Sequence, residues 1–434
     1  MKQISSQHYR AQLTDRTIAD ADQVNAVVAA IETRVRTEKD QALLALAKQF
    51  DGVPDTFSLV VTPDDITHAM AMVPAPVMTA LHRAHDQIQA FHRHQQPNEW
   101  QDTPQRGVTY GMRYHPIESV GLYVPGGRAL YPSSVLMNAI PAKLAGVRQL
   151  VMTSPPQSNG HLHPVVIAAA QLAGVTHIIK TGGAQAIMAL TLGTESVPKV
   201  DKIVGPGNKY VDAAKKRVFG RVGIDKPAGP SEVAVLIDHP QWAPWAAWEC
   251  LAQLEHDPDA RAVVISNRAD ILEAVATQVT KGASECQRQS ILSHSLTHLY
   301  CIHTQDDDDA TDLLNDIASE HVVILSENAH DWAPRIRHAG TLFLGPYTPV
   351  AAGDYMGPNH VLPTERAARF SSALGVMDFM TSVSTLSLTQ DGLASMGHDI
   401  QVLAGIEGLD AHARSVNVRL SNPSDNKDAA PHTH

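Results

Sequence analysis

The chain has little of what marks a secreted, membrane-spanning or nucleic-acid-binding protein. Cysteine occurs three times, as Cys250, Cys286 and Cys301, with no CxxC spacing. An odd, unpaired set does not make a disulfide framework and fits a reducing compartment. No stretch approaches the about 18 successive apolar residues that a membrane span needs. The opening MKQISSQHYRAQLT has no apolar core of the kind a signal peptide carries. A cytoplasmic protein that contacts no membrane is therefore expected. Positive charge is also scarce: 34 Lys and Arg against 45 Asp and Glu give a net charge of -11. No basic run is interleaved with aromatics, which argues against a nucleic-acid surface. What is present is ordinary for a globular protein, with 44% hydrophobic and 18% charged residues. The 434 residues suffice for two or three domains with sizeable cores.

Residues 20–96 read as helical. Val24, Val27, Val28, Ile31 and Val35 recur at helical spacing. TPDDITHAM starts a helix: Thr62 caps, Pro63 suits the first turn, and Asp64 and Asp65 suit the positive end of the dipole. The next helix carries His82, His85, His92 and His94, read as a solvated face because Asp86 is the only carboxylate at matching positions. HLHP, 161–164, reads as a loop. From about 120 the pattern alternates. VGLYV, QLVMTS, THIIK and KIVG read as strands, with helices at PVVIAAAQLAG, GAQAIMALTLG and NKYVDAAKKRVFG. A second α/β unit follows, with strands at SEVAVLI, RAVVIS, SLTHLYCI, HVVILS and GTLFLG. Such alternation predicts parallel sheets flanked by helices. DDDD, 306–309, reads as a solvated helix start, and the tail SNPSDNKDAAPHTH as a polar, frayed end.

Three features could carry chemistry. The first is a set of glycine-rich turns after successive strands: YVPGG (123–127), TGGAQ (181–185) and GPGN (205–208). Ligands bind outside the carboxyl ends of strands in open α/β sheets, and glycine lets backbone approach a phosphate at a helix N-terminus. None matches GxGxxG, so plain tight turns remain open as a reading. The second is LAQLEHDPDA, where Gln253 and His256 share a helix face that ends before Pro258. They face either water or a metal ion. Asp354, in the Gly/Pro-rich AAGDYMGPNHVLP with Asn359 and His360, would supply an oxygen ligand. The third is Glu320–His321 in ASEHVVIL, a fair acid/base dipeptide because histidine titrates near neutrality. Adjacent side chains on an extended segment point to opposite faces, so the two could share a site only at a bend.

Taken together, VGLYVPGG, GGAQAI, TESVPKVDKIVGPGN, AGPSEV, AQLEHDPDA, EHVVIL, AGDYMGPNHVLPT, ARFSSALGVMDF and AHARSVNVR resemble the histidinol dehydrogenase family, in the family's order over about 115–420. The resemblance implies NAD-dependent oxidation of L-histidinol through the aldehyde to L-histidine, the last steps of histidine biosynthesis. It implies one zinc per site and an intertwined homodimer. The zinc ligands fall on Gln253, His256, Asp354 and His412, the last from the partner subunit. The acid/base pair falls on Glu320 and His321. NAD contacts fall on Tyr123, Gln185 and Asn208. Substrate contacts fall on Ser231, Gln253, His256, His321, Asp354, Glu407 and His412, with His360 lining the same pocket. The cysteines lie outside these motifs.

The expected fold is accordingly two Rossmann-like, incomplete doubly wound α/β domains with a helical N-terminal segment, 1–21, and a small helical C-terminal extension, 376–434. Residues 22–122 with 231–375 would form the domain of the zinc and acid/base residues, and 123–230 the domain of the NAD turns. Three rivals remain from the residues: a zinc hydrolase using the same Glu, His and metal; a metal-binding α/β protein without catalysis; and a family relative acting on a different amino alcohol.

Overall fold

The computed structural model describes residues 2–13, 21–126, 130–226 and 229–421. Gly127 of the first glycine-rich turn and the polar tail 422–434 lie outside them. Two units are distinguished, one of 1–96 with 117–379 and one of 97–116 with 380–434.

The first unit contains two wholly parallel sheets. The six-stranded sheet runs in the order Lys2–Ser5, Leu299–His303, Arg261–Ser266, Glu232–Ile237, His321–Leu325, Thr341–Leu344. Its inner strands Arg261–Ser266, Glu232–Ile237 and His321–Leu325 are apolar runs because both faces are covered. Along Glu232–Ile237, Val233, Val235 and Ile237 enter one core, while Ala234 and Leu236 enter the other. The five-stranded sheet runs in the order His177–Lys180, Gln149–Ser154, Ser119–Tyr123, Lys202–Val204, Gly223–Ile224. The alternation read in the sequence thus corresponds to the two sheets.

Several local expectations change. The segment 1–21 is not purely helical: Lys2–Ser5 is a strand paired with Leu299–His303, followed by the helix Ser6–Gln12. That helix is fixed by Arg10, which reaches Asp309 and Asp316 at 2.8 Å each. Asp309 belongs to the acidic helix Asp307–Ile317, whose cap Asp306 accepts from the Asp309 N–H at 2.8 Å, so DDDD serves the fold. The helices within 22–96 were expected with the six-stranded sheet. Instead Val28, Ile31, Leu43 and Leu46 share a core with Ile187 and Ile203 of the five-stranded layer. Residues 119–122, also placed in the first domain, belong to the strand Ser119–Tyr123, which is central in that same sheet. Thr62 does cap its helix, in a reciprocal box with Asp65.

The histidine cluster is not uniformly solvated either. His82 and His94 are exposed, but His92 is fully buried. Its Nδ1 lies 2.8 Å from the Ile88 carbonyl and its Nε2 3.3 Å from the Asn359 amide nitrogen. The carbonyl fixes the proton on Nδ1, and Nε2 accepts from Asn359.

The second unit is an antiparallel sheet of Trp100–Gln105, Val108–Pro116 and Met380–Leu388, followed by the helices Gln390–Ile406 and Asp410–Ser421. The C-terminal extension was expected to be helical; a nine-residue strand precedes its helices and pairs with Val108–Pro116. Gly107, at φ +81, makes the hairpin turn. Among the described residues no helix is long and apolar enough to cross a membrane.

Candidate active site

Glu320 and His321 stand at the amino end of a central strand. The helix Asp307–Ile317 stops at Ala318, a left-handed residue with φ +47, and the chain turns into His321–Leu325. Glu320 lies just before the strand. It is therefore at a bend, and its Oε2 comes within 3.6 Å of His321 Nδ1. A Cβ at Gly340 would collide with the Glu320 carbonyl oxygen, so backbone packs directly on backbone behind the pair.

Glu232, which the sequence reading did not single out, holds both side chains. Its N–H donates to Glu320 Oε2 at 2.9 Å, and its carbonyl lies 3.2 Å from His321 Nδ1. A carbonyl can only accept, so Nδ1 carries the proton and the Nε2 lone pair is left to act as a base. Both side chains are buried, each 7% exposed. Burial pushes the Glu320 carboxyl well above the ordinary glutamate range; the Glu232 N–H opposes this, and the charges of Glu232 and Asp354 add to it. Burial also pulls His321 down to about 4, against the attraction of Asp354 and the Glu232 carbonyl. The imidazole is thus neutral at physiological pH.

The helix Ala243–Leu254 follows Glu232–Ile237 and runs back along the sheet, which returns its C-terminus to the amino edge. Gln253 is in its last turn and 3% exposed, and His256 lies just beyond, exposed at its edge. Desolvation nevertheless lowers the His256 pKa, with Asp354 opposing it. Asp354 ends the short helix Val350–Gly353, and its Oδ1 accepts from His360 Nδ1 at 3.0 Å. Burial would raise this carboxyl; His360, His321 and His256 outweigh it and hold it below the ordinary value. Ser231, half-buried, immediately precedes Glu232. Ser231, Gln253, His256, Glu320, His321 and Asp354 are therefore gathered by elements that end or begin at one edge of one sheet.

Among the described residues no three His, Cys, Asp or Glu side chains form a metal-ligating cluster. The expected ligand set includes only two such residues of the first unit, His256 and Asp354, with the Gln253 amide. No hydrogen bond holds that amide or the His256 ring among the described residues, so both are left with donor or acceptor capacity to spend on a ligand. One carboxylate, one imidazole and one amide suit zinc but leave a ligand to be supplied. Glu407 and His412 lie in the second unit. Glu407 caps the end of Gln390–Ile406, His412 is on Asp410–Ser421, and both are exposed.

The three glycine-rich turns do fall at the carboxyl ends of the five-stranded sheet. Tyr123 ends its strand, and its hydroxyl accepts from the Gly183 N–H at 3.1 Å. Burial pushes the phenol up to about 12, so its proton stays available for donation. Gln185 is in the first turn of Gly183–Leu192 and buried. Asn208 caps Lys209–Val218, accepting from the N–H groups of Tyr210 and Val211 at 3.0 and 3.2 Å.

A parallel sheet with three glycine-rich strand-end turns and a second parallel sheet bearing a buried carboxylate–imidazole pair belong to an α/β enzyme of the dehydrogenase class, as the relatives show. A family model described as histidinol dehydrogenase matches residues 14–420. The histidinol dehydrogenase of Syntrophotalea carbinolica is 47% identical over 92% of this chain and 93% of its own length. That of Halalkalibacterium halodurans is 45% identical over 92% and 94%. The crystal structure of histidinol dehydrogenase from Elizabethkingia anophelis superposes with a TM-score of 0.93 at 35% identity, covering 97% of this chain and 98% of that one. The chain belongs to the histidinol dehydrogenase family.

Proposed function

We propose that Glu320 and His321 carry the proton chemistry of a two-step oxidation, on a metal site completed by a second subunit. The enzyme oxidises L-histidinol to L-histidine with NAD, the terminal step of histidine biosynthesis. The observation that carries our reading is the Glu232 backbone gripping both side chains, which leaves His321 Nε2 as the free base. In the first oxidation His321 removes the hydroxyl proton at Nε2 as hydride leaves the carbinol carbon for NAD. In the second, Glu320 takes a proton from the water that adds to the aldehyde. Its raised pKa makes it a stronger base than an ordinary carboxylate once ionised. A second hydride then goes to a second NAD. Ser231, Gln253, His256, Asp354 and His360 orient the substrate.

Tyr123, Gln185 and Asn208 are assigned to NAD; their support is their place in the three strand-end turns. Gln253, His256 and Asp354, with His412 of the partner subunit, would hold zinc, and Glu407 would meet substrate beside it. When bound, zinc would supply a Lewis-acid hold on the substrate nitrogens. The support is a donor set that is chemically apt yet one ligand short within the first unit. On this reading the working enzyme is a homodimer with a shared site. A cytoplasmic setting suits the three unpaired thiols.

The direct test is NADH formed per L-histidinol consumed, with and without chelator. Two NADH per substrate, lost on chelation and restored by zinc, is the expected result. One NADH with release of free aldehyde would remove the role given to Glu320. No NADH and no loss of L-histidinol from the folded, zinc-loaded protein would overturn the reading.

A further inference from the structure

The proton chemistry leaves one buried charged pair unused. Lys215 and Asp225 form an ion pair with side chains 2% and 1% exposed. Lys215 lies on the helix Lys209–Val218, and Asp225 follows the strand Gly223–Ile224. Both reach a single residue of the GPGN turn. The Gly205 N–H donates to Asp225 Oδ2 at 2.8 Å, and the Gly205 carbonyl accepts from Lys215 Nζ at 2.9 Å. Lys215 also reaches the Lys226 carbonyl at 3.4 Å.

We propose that the Lys215–Asp225 pair is the positioning device of the NAD-binding turn. The proposal rests on the assignment of NAD to the turns of Tyr123, Gln185 and Asn208. Fixing the N–H and the carbonyl on either side of one Cα fixes both of its backbone dihedrals. Gly205 is the residue where that matters, because glycine has the widest conformational range. Its φ is +114, and a Cβ there would collide with the Tyr123 carbonyl oxygen. The clamp therefore sets the turn against the end of the Tyr123 strand and aims the helix start at Asn208. Stability alone does not account for the pair. A buried ion pair is seldom more stabilising than apolar side chains of the same volume. Apolar side chains could fill the space, but they could not satisfy an N–H and a carbonyl at once.

The test compares steady-state kinetics of the zinc-loaded enzyme with those of Asp225→Asn and of the double variant Lys215→Met with Asp225→Leu, which leaves no unpaired buried charge. Expected in the double variant is a rise of about tenfold or more both in the Kd for NAD, read by calorimetric titration without L-histidinol, and in the KM for NAD, the loss of hydrogen bonds to charged groups. The kcat at saturating NAD and the KM for L-histidinol should stay within about twofold, a split that a merely structural role would not produce. Asp225→Asn, which keeps an acceptor for the Gly205 N–H, should fall between. Gln185→Ala tests the underlying assignment. If it leaves the KM for NAD unchanged, the turns do not hold NAD. If it raises that KM while the folded double variant does not, the clamp alone is overturned. Failure of both clamp variants to fold would also overturn the proposal, because the pair would then be a requirement of the fold.

Discussion

The environment of His321 predicts a measurable dependence of stability on pH. In the folded protein burial holds the imidazole at about 4, whereas an unfolded chain returns it to near 6.5. Above the unfolded value both states are neutral, and His321 contributes no slope. As pH falls through the window from 6.5 to 4, unfolding takes up a proton that the folded site refuses, so stability is lost. The loss reaches about 2 kcal/mol by pH 5 and about 3 kcal/mol by pH 4. The His321 side chain is 9% exposed, so solvent screening offers little relief. His321→Asn keeps a donor for the Glu232 carbonyl but cannot titrate. Urea unfolding of chelated wild-type and variant protein from pH 7 to 4 should give curves that separate toward acid, with the variant losing less. Glu320 acts in the opposite direction, since its raised pKa makes the folded protein the better proton binder above the unfolded glutamate value. It is present in both proteins and largely cancels in the difference. Parallel curves would refute the buried, neutral imidazole and the free Nε2 base derived from it.

Glu320→Gln preserves an acceptor for the Glu232 N–H and removes the base. Oxidation of added histidinaldehyde should fall by about 10²–10⁴ while first-hydride formation in rapid quench survives, and equal loss in both steps would contradict the division of labour. Glu32 joins Arg36 of its own helix to Arg217 and Arg221. Burial would raise its pKa, but these hydrogen bonds prevail and hold it at about 2. Glu32→Gln should therefore cost about 1–2 kcal/mol near pH 7, discounted because the arginines are about half exposed, and the cost should fade as pH falls from about 4.5 to 2. Inactive His321→Asn and His412→Asn proteins, mixed under conditions of proven subunit exchange, should recover activity through one hybrid site per heterodimer; no recovery would count against a shared site.

The sheets were legible because buried parallel strands are short apolar runs whose residues feed two cores, as Val233 and Ala234 do. The N-terminal strand was not. KQIS has no strand pattern of its own and is extended because Leu299–His303 offers it a register, a long-range fact. The hairpin around Gly107 did carry a turn signal in Arg106–Gly107. His92 was also findable: Leu81, Ala84, Ile88 and His92 are the buried residues of one helix, at helical spacing, and His92 lies four residues after Ile88 on that stripe. Motif matching located Glu320, His321, Gln253, His256 and Asp354, but it could not reveal that they gather at the amino edge of their sheet. The usual rule for open α/β sheets points to carboxyl ends, where the three glycine-rich turns of the other sheet lie. Nor could any local pattern show Glu232 holding the pair, because its contribution comes from backbone atoms.

The two chemistries must be kept in register, since hydride transfer needs donor carbon and acceptor ring within near-attack distance. Two linkages in the first unit serve this. His360 stands between Asp354, 3.0 Å from its Nδ1, and Ser134, whose hydroxyl is 3.4 Å from its Nε2. Asn359, next in sequence and 2% exposed, donates to the Met137 carbonyl at 2.6 Å and lies 3.3 Å from His92 Nε2. Ser134 and Met137 both belong to Pro132–Ala145, the helix that follows the Tyr123 turn. The loop bearing the carboxylate is thus tied to the helix that follows the Tyr123 strand. Around Asn359 and His92 the tie is buried on both sides, and removing one partner there would leave its counterpart unsatisfied. Such a connection resists hinge opening between Asp354 and Tyr123. That rigidity suits an enzyme that must retain a reactive aldehyde while one NADH is exchanged for a second NAD. If NAD sits on the glycine-rich turns as proposed, access for that exchange is expected there, where Asn208 and Tyr210 are exposed, with the carboxylate loop held still.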